Sequence, residues 1–461
     1  MLIPSLVDWS FDHPDRNVFL ASAALTLFAA ISLIIPNRDI GDELNIKQAF
    51  LLTTLVWVVL PAFAALPFVF SELELSFTDS YFESMSGLTT TGSTIITGLD
   101  NAPPGILIWR ALLQWLGGIG IIVMAVAVLP MLRIGGMQLF QMESSDTSEK
   151  ILPRAAQVSG AVASLYLALS FICFIALVFA GLNPFDAAAH AMTTIATGGF
   201  STSDQSIGHF NSAMVDGIIT LFMIIGSLPF VLYLQVIRGR PLALWRDQQV
   251  QAFLGLLLMV IGVMVVWLMW KHGFDASYAL RYASFNIVSI LTGTGYTTTN
   301  FGAWGGFSVS LFFIIMFIGG CAGSTSCGIK IFRFQVLAET IKTQTSKLTR
   351  PNGVFKPKYN NRPLSDGVIA SVMSFLFLFL LSFVVLSIAL SFTGLDFITS
   401  LSGAGTALAN VGPGLGHIIG PTGTFQPLPD NSKWILSFGM LLGRLELFTV
   451  LVLFTPSFWR A

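Results

Sequence analysis

A short glycine-centred pattern occurs four times in this chain, at intervals of about a hundred residues. The four copies are Thr89-Thr90-Thr91-Gly92-Ser93, Ala196-Thr197-Gly198-Gly199-Phe200, Thr292-Gly293-Thr294-Gly295-Tyr296 and Asn410-Val411-Gly412-Pro413-Gly414. Each copy lies between long apolar stretches. Backbone without helix or sheet bonds cannot face lipid, so each copy must be buried in protein or line a water-filled path. Four such stretches predict a ring of carbonyl oxygens around one axis, the arrangement of a cation filter.

The composition indicates the class of protein. Of the 461 residues, 54% are hydrophobic and only 10% are charged, whereas a soluble domain has about 25% charged residues. Together with the long uncharged runs, this predicts an all-α polytopic membrane protein. The net charge of −1 gives no indication of a partner, and we expect no nucleic-acid partner.

Nine stretches are near or above the roughly 18 apolar residues that a spanning helix needs. They are 18–36, 48–70, 105–131, 158–182, 213–237, 250–272, 305–335, 366–391 and 433–456. Four gaps between them contain a shorter apolar stretch that ends in a glycine pattern, namely 77–88, 185–195, 278–291 and 396–409. We interpret each as a re-entrant helix that turns at the glycine. The last eight spans then form four helix–pore-loop–helix units around one central pore.

These boundaries predict one N-terminal segment followed by four pore units. The segments are 1–45 with one spanning helix, pore unit 1 at 46–135, pore unit 2 at 150–240, pore unit 3 at 248–336 with an intramembrane gating loop, a basic cytoplasmic loop at 337–364, and pore unit 4 at 365–461.

The charged residues predict the orientation. Lys and Arg concentrate in the gaps 37–47, 132–157, 238–249 and 336–365, which are therefore expected to be cytoplasmic. The gaps with the glycine patterns carry Glu72, Glu74, Asp79, Glu83, Asp100, Asp186, Asp204, Asp275 and Asp396. These acids favour entry of the patterns from outside, beneath an acidic vestibule that concentrates cations. Alternatively, most of them are solvated loop residues or helix N-caps.

Two of these acids suit the start of a re-entrant helix. Asp79 and Asp186 each lie thirteen residues before the glycine of their pattern. An acid at a helix N-terminus interacts favourably with the helix dipole. The corresponding positions in units three and four are Tyr282 and Thr399, so this feature of the repeat is imperfect.

The candidate cation filter consists of the central residues of the four patterns. Its members are Thr90, Thr91, Gly92, Thr197, Gly198, Gly199, Thr294, Gly295, Asn410, Val411 and Gly412, with the bound cation expected at Thr91, Gly198, Thr294 and Val411. Glycine permits positive φ, so successive carbonyls can face one ion, and neighbouring threonines can add hydroxyl oxygens. The alternative is close helix packing through small residues.

A second run of small residues interrupts the seventh span at 319–328. A broken helix that lines a pore is a natural gate, whereas the alternative is a contact surface between helices. The candidate gate residues are Gly319, Gly320, Gly323, Ser324, Thr325, Gly328 and Arg444. Lys330 and Arg333 follow the run, where they are interpreted as anchors at the membrane edge.

Arg444 lies well inside the last span, where a charge is costly and usually faces the bundle interior or water. We hypothesise that it projects into the pore below the filter as a barrier to cations, with Glu446 as a possible partner. The alternative is a purely structural ion pair between helices.

Other residues with possible chemistry are few. His190 lies beside the second pattern, where a hydrogen-bonded structural role is favoured over proton coupling. Cys173, Cys321 and Cys327 lie in apolar segments and are interpreted as small core residues. No phosphate-binding loop, nucleophile–base pair or metal cluster is apparent, so we expect no enzyme and no covalent cofactor.

Several strings resemble the TrkH proteins of the Trk/Ktr/HKT potassium transporter superfamily. They are SGLTTTGSTI, TIATGGFST, LTGTGYTT, NVGPGLG, GGCAGST and GRLELFTV, and the resemblance extends from about residue 18 to the C-terminus. It implies four non-identical helix–pore-loop–helix units, potassium uptake across the bacterial inner membrane, a homodimer and a cytosolic nucleotide-binding regulatory subunit of the TrkA type. It also implies that Gly92, Gly199, Gly295 and Gly412 are the filter glycines, that 319–328 is the gating loop, and that Arg444 lies below it.

The resemblance is imperfect in the gating loop and at the N-terminus. Ser326 and Cys327 stand where the family pattern predicts glycines in the gating loop. The N-terminus is one span shorter than is usual in the family, which would leave residues 1–17 outside the membrane. Gly92 favours potassium, because serine at this position accompanies sodium transport in plant relatives.

Two functions from different mechanistic classes remain open. The first is a channel-like subunit that conducts potassium inward. The second is a symporter that moves K+ with H+ or Na+ by alternating access, which the broken seventh span and His190 would serve.

Overall fold

The computed structural model describes residues 1–38, 45–127, 151–360 and 362–460. The helices of these residues are Leu2–Ser10, Arg16–Ile34, Ile46–Ala64, Leu66–Phe70, Phe77–Leu88, Pro104–Ala127, Ile151–Phe179, Pro184–Ile195, Ala213–Gly226, Phe230–Ile237, Ala243–Arg246, Gln248–His272, Ala276–Leu291, Gly306–Ile315, Ile331–Thr349, Asp366–Phe392, Phe397–Ala409, Asp430–Arg444, Phe448–Leu451 and Pro456–Arg460. Lys358–Tyr359 pairs with Arg362–Pro363 as a small antiparallel sheet. The all-α polytopic class is confirmed. The predicted end of pore unit 1 at 135 and the predicted start of pore unit 2 at 150, with Arg133 and Lys150, lie outside the described residues.

Fewer helices than expected are straight spans. Among the described residues, six helices are long and apolar enough to cross a membrane, and two bent pairs bring the number to as many as eight. Ala213–Gly226 meets Phe230–Ile237 at 92°, and Asp430–Arg444 meets Phe448–Phe454 at 109°. The remaining predicted span, 305–335, begins with the short helix Gly306–Ile315 and then loses helical structure.

Each bend has a local cause. Pro229 lies at the first break and is the N-cap of the second helix of the pair, with extended backbone. It has no N–H to continue the preceding helix. At the other bend Glu446 and Leu447 have φ of 57° and 56°, which reverses the handedness of the backbone without a glycine. The first bend can be predicted from the proline, whereas no residue type at the second bend indicates a break.

Four stretches of the chain share one order of elements. Each has a long leading helix, a short helix, an irregular central segment and a following helix. The short helices are Phe77–Leu88, Pro184–Ile195, Ala276–Leu291 and Phe397–Ala409. The central segments are defined here as residues 89–94, 196–201, 292–297 and 410–415. The leading helices pack on the short helices, so the central segments lie in the interior of the bundle.

The short helices start with side-chain caps. Ser76 and Asn183 cap the first two, and Asp79 and Asp186 lie in the first turn as the spacing predicted. In the last two units the acid is the N-cap itself, Asp275 or Asp396, rather than a residue at the position of Tyr282 or Thr399. A hydrogen bond from Ser277 lowers the pKa of the Asp275 carboxyl, so this cap is ionised and suits the helix dipole.

Residues 1–17 contain a helix that packs against the rest of the bundle. Leu2–Ser10 forms a helix that packs against both Arg16–Ile34 and Pro104–Ala127. Asp8 is buried there and accepts a hydrogen bond from the Gly105 N–H, near the start of the following helix of unit 1. This contact satisfies one of the unpaired N–H groups of that helix start.

Candidate functional site

All four short helices end in the same hydrogen-bonded turn. At the end of each helix one residue has a left-handed conformation, with φ of 54° at Thr90, 50° at Thr197, 80° at Gly293 and 50° at Asn410. It is the residue after the C-cap in units 1 to 3 and the C-cap itself in unit 4. The next N–H bonds to the carbonyl five residues back, as Thr91 N does to Ser86 O at 2.9 Å. The equivalent bonds are 2.9, 2.8 and 3.0 Å long in the other units. These are Schellman turns, so the chain turns two residues before each predicted glycine and not at it.

Beyond these turns, the four central segments contact one another in a closed cycle. A Cβ placed on each central glycine would approach backbone atoms of the next segment. Gly92 meets Gly198, Gly199 meets Thr294, Gly295 meets Gly412, and Gly412 meets Gly92. We call this arrangement the central ring. Because the neighbouring backbones touch, no side chain fits between them, which is why glycine occupies these positions.

The fourth segment differs from the other three. Gly92, Gly199 and Gly295 have φ of 84°, 80° and 85°, so left-handed residues alternate with others along their segments. Gly412 does not share this conformation, since Pro413 follows it and favours extended backbone. Its carbonyl accepts a hydrogen bond from Ser93 Oγ of unit 1 at 2.9 Å. The ring is therefore closed by four unequal segments.

Buried side chains hold the ring from outside. The Gln114 amide donates to Gly198 O at 2.6 Å and accepts from Phe200 N at 3.0 Å. Asn410 Nδ2 donates to Thr91 Oγ1 at 3.0 Å, across the junction of units 4 and 1. The Tyr296 hydroxyl bonds to Thr193 and Thr194 of unit 2. Gln114 was not predicted from the sequence, because it lies between apolar residues with no motif of its own. Tyr296 ends the third glycine pattern, but no role for its hydroxyl was predicted.

A cavity of about 320 Å³ opens on one face of the ring. It is lined by all four central glycines and by the residues that follow the segments, including Arg110 and Asp204. Of the acids expected to surround a vestibule, only Asp204 lines this cavity. The lining of this cavity therefore does not support an acidic mouth.

Four of the other acids have local partners. Glu83 pairs with Arg110 at 2.8 Å, and Asp79 pairs with Lys433 at 2.5 Å. Asp275 and Asp396 are helix caps. A carboxylate that accepts backbone N–H groups or pairs with a cation attracts a distant ion only weakly. The alternative interpretation as caps and structural groups therefore holds for these four acids.

Residues 316–330, which we call the crossing segment, lie against the other face of the ring. Thr325 Oγ1 is 3.2 Å from Thr197 Oγ1, and Cys327 Sγ is 3.8 Å from Thr90 Oγ1. A Cβ on Gly293 would be 3.4 Å from the Cys327 nitrogen. The segment thus contacts the turn residues of three units. The structure brings the predicted gate run directly beneath the predicted filter residues.

The bent helix of unit 2 holds the crossing segment. Thr325 N donates to Gly226 O at 3.2 Å, and Cys321 N donates to Ser227 O at 3.0 Å. In return, Phe230 N donates to Gly323 O at 3.0 Å. Backbone groups at a helix break lack intrahelical partners. The bend therefore supplies the groups that the crossing segment binds.

The crossing segment also bonds to itself. Ile318 and Ile329 form an isolated parallel bridge, and Gly319 N donates to Ile329 O at 2.9 Å. Ser326 Oγ accepts from Gly320 N at 2.8 Å. A Cβ on Gly319 would overlap the Cys327 carbonyl oxygen. Ser326, which departs from the family pattern, therefore adds an internal hydrogen bond to the segment.

Arg444 is 2% exposed and connects three parts of the molecule. Its Nη1 lies 2.6 Å from Cys327 Sγ and 3.4 Å from Thr325 O, and its Nη2 donates to Gly117 O at 2.8 Å. These atoms belong to the crossing segment and to the following helix of unit 1. The position of Arg444 beneath the ring agrees with the hypothesis of a barrier to cations. Its bonding partners are not the one that was expected.

Glu446 binds Arg333 and not Arg444. The expected Arg444–Glu446 pair is wrong because the backbone reverses at Glu446 and Leu447, which sends the neighbouring side chains to different places. The interpretation of Lys330 and Arg333 as surface anchors is also wrong. Both are buried, and Lys330 donates to the Ser326 carbonyl.

The remaining candidates behave as structural groups. His190 is fully buried, and its ring nitrogens bond to Asp186 O at 2.8 Å and Ser201 Oγ at 2.9 Å. All three cysteines are free and buried. Within the part of the chain that the structure describes, no group of three His, Cys, Asp or Glu side chains could hold a metal ion.

Comparisons with known proteins agree on one family. A family model described as TrkH, cation transport protein, matches residues 15–461. The Trk system potassium uptake protein TrkI of Halomonas elongata is 48% identical over 461 residues, covering 100% of this chain and 94% of the relative. The corresponding TrkH of Escherichia coli is 40% identical, covering 100% and 96%. The crystal structure of the potassium transporter TrkH from Vibrio parahaemolyticus superposes with a TM-score of 0.92 at 37% identity, covering 100% of this chain and 96% of that one.

Proposed function

Since the chain belongs to the TrkH family of cation transport proteins, we propose that it takes up potassium through a pore whose selectivity filter is the central ring. The observation that carries the proposal is the cyclic contact of Gly92, Gly199, Gly295 and Gly412. One chain thereby supplies four converging backbone segments. A ring of backbone carbonyls can replace the hydration shell of a potassium ion.

The ion would bind between the carbonyl and hydroxyl oxygens of the four segments. Thr91, Gly198, Thr294 and Val411 are the expected contact positions, one from each unit. Each follows a short helix whose C-terminal end carries a partial negative charge. Potassium is the substrate, and no covalent cofactor is expected.

The crossing segment would be the gate, and Arg444 would hold it closed. The contacts of the crossing segment with Thr90, Thr197 and Gly293 place this segment directly beneath the ring. The guanidinium of Arg444 adds a positive charge on the same side, which opposes the passage of a cation. Opening requires the segment to leave the ring and to break the contacts of Arg444 with Thr325 and Cys327.

The relatives are named as parts of a Trk system. The membrane, the oligomeric state and the partner that we propose for this protein follow from that name. We place the protein in the bacterial inner membrane as a homodimer surrounded by lipid. A cytosolic nucleotide-binding subunit of the TrkA type would dock on the basic loop at 337–364. This loop includes much of the helix Ile331–Thr349, which lies next to the crossing segment and could transmit movement to it.

Flux of K+ into proteoliposomes without a pH or sodium gradient tests the proposal. A channel-like protein gives K+ uptake driven by membrane potential alone, and liposomes without protein give the background. The alternative is coupled symport by alternating access, which the break at 316–330 keeps open. Uptake that strictly requires a proton or sodium gradient would establish symport instead.

A further inference from the structure

A buried ion pair lies behind the ring, on the side of the cavity. Arg110 comes from the following helix of unit 1 and Glu83 from its short helix, and their side chains are 1% and 0% exposed. Arg110 Nε donates to Glu83 Oε1 at 2.8 Å. Glu83 also accepts from Thr94 Oγ1 at 3.0 Å and Ile95 N at 2.8 Å. The acid is thus bonded to the segment that leaves the ring in unit 1.

The guanidinium extends this network to unit 2. Arg110 Nη1 donates to Ser201 O at 2.8 Å, and Nη2 donates to Thr94 Oγ1 at 3.1 Å. Its Cζ lies 4.1 Å from the ring centroid of Phe200. Arg110 therefore uses its planar fork and its π face together, which lysine cannot do. Phe200 and Thr94 come one and two residues after Gly199 and Gly92.

The network also reaches unit 4. The carbonyl of Thr94 accepts a hydrogen bond from Phe425 N at 2.9 Å. Three of the four units are therefore connected where their segments leave the ring. Arg110 itself lines the 320 Å³ cavity, through which an ion from that side must approach the ring.

We propose that Arg110 and Glu83 form a charge-compensated clamp that fixes the outer ends of the first two filter segments and sets the affinity of the filter mouth for potassium. This inference rests on the proposed function. Arg110 is a positioning residue that contacts the backbone of Ser201. Glu83 cancels its positive charge, which would otherwise repel an approaching cation.

The two halves of the clamp predict effects of opposite sign. Glu83→Gln keeps the shape but leaves a cation at the mouth, so the half-saturating external K+ concentration rises by on the order of three- to tenfold. Arg110→Gln leaves an anion there, so the same concentration falls. Loss of packing alone would impair uptake in both variants. The combined Glu83→Gln, Arg110→Gln protein is neutral again and returns towards the original affinity.

The chain offers a matched control in a second ion pair. Arg281 Nε binds Asp216 Oδ2 at 2.7 Å, between the short helix of unit 3 and the following helix of unit 2. Neither residue lines the cavity. Asp216→Asn therefore leaves an unpaired arginine elsewhere, and the half-saturating K+ concentration is expected to stay unchanged.

Initial rates of K+ uptake into proteoliposomes, measured against external K+ at two ionic strengths, decide the matter. Opposite shifts in the Glu83 and Arg110 variants that shrink at the higher ionic strength support the clamp. Shifts of the same sign, or no difference from Asp216→Asn, overturn it. If one variant does not fold, the ionic-strength dependence of the shift in the other decides, because a packing defect does not shrink as the salt concentration rises. Failure of the unmodified protein to take up K+ would instead reject the proposed function.

Discussion

Nη1 of Arg444 lies 2.6 Å from Sγ of Cys327, beneath the central ring. This contact joins the end of a helix in unit 4 to the crossing segment of unit 3. The same guanidinium donates to Gly117 O of unit 1 at 2.8 Å. One side chain therefore connects three units on the face opposite the cavity, and the first two predictions concern this contact.

Arg444→Gln should open the pore. Removing the charge abolishes the barrier beneath the ring and weakens the hold on the crossing segment, so K+ flux should rise by on the order of tenfold. Arg444→Lys keeps the charge but cannot reach several acceptors at once, and should give a smaller change. Single-channel recording or proteoliposome flux measures the effect. An unchanged open probability and unchanged rectification in Arg444→Gln would reject the barrier role.

Labelling of Cys327 should report the position of the crossing segment. Cys327 is buried, with 7% of the residue exposed, so a small charged thiol reagent should react slowly with the closed protein. In Arg444→Gln the reaction should be faster, because the segment moves more readily. Cys173→Ser and Cys321→Ser should be present in both proteins so that one thiol reports. Equal rates in the two backgrounds would mean that Arg444 does not hold the segment.

Gly92→Ser should lower the selectivity for K+ over Na+. A Cβ at this position overlaps the Gly198 carbonyl and must displace the neighbouring segment. Gly98→Ser is the matched control, since Gly98 follows in the same stretch with φ of 75° and no atom within 4 Å of its Cβ. Both variants carry left-handed strain of roughly 1 kcal/mol, but only the first disturbs the ring. Reversal potentials in mixed salts that shift equally in both would contradict the filter assignment.

Tyr296→Phe should loosen the ring between units 2 and 3. The substitution removes the hydroxyl that bonds to Thr193 and Thr194, at a cost of about 1 kcal/mol. Thermal unfolding in detergent should begin at a lower temperature, and the K+/Na+ permeability ratio should fall. Tyr278→Phe removes a hydroxyl from a tyrosine that is 39% exposed, so it controls for the phenol itself. A melting temperature as high as that of the control would show that the bond contributes little.

The sequence predicted the short helices closely. The expected bounds 77–88, 185–195, 278–291 and 396–409 differ from the observed ones by at most two residues. Apolar runs, capping residues and the glycine patterns act locally, and helix ends respond to local signals. The break at 319–328 was readable for the same reason, because small and polar residues are poor helix formers in an apolar span.

The ion-pair partners of the charged residues could not be predicted from the sequence. Arg444 and Glu446 are close in sequence, yet Glu446 forms its ion pair with Arg333 because the backbone reverses at Glu446 and Leu447. Glu83 was expected to face a vestibule and instead lies in a buried pair with Arg110, for which no role was predicted. A buried charge finds its partner by tertiary proximity, and residues far apart in the chain have no local pattern that pairs them.

By itself, the sequence determined that four glycine-centred segments end four short helices, since each turn forms within about five residues of its own chain. Only the tertiary structure decided that these segments meet in one cycle, with Gly412 set apart from the other three glycines. Closure depends on backbone contacts between residues about a hundred positions apart. Such contacts are fixed by the packing of the leading and following helices around the ring, and not by the short segments that form it.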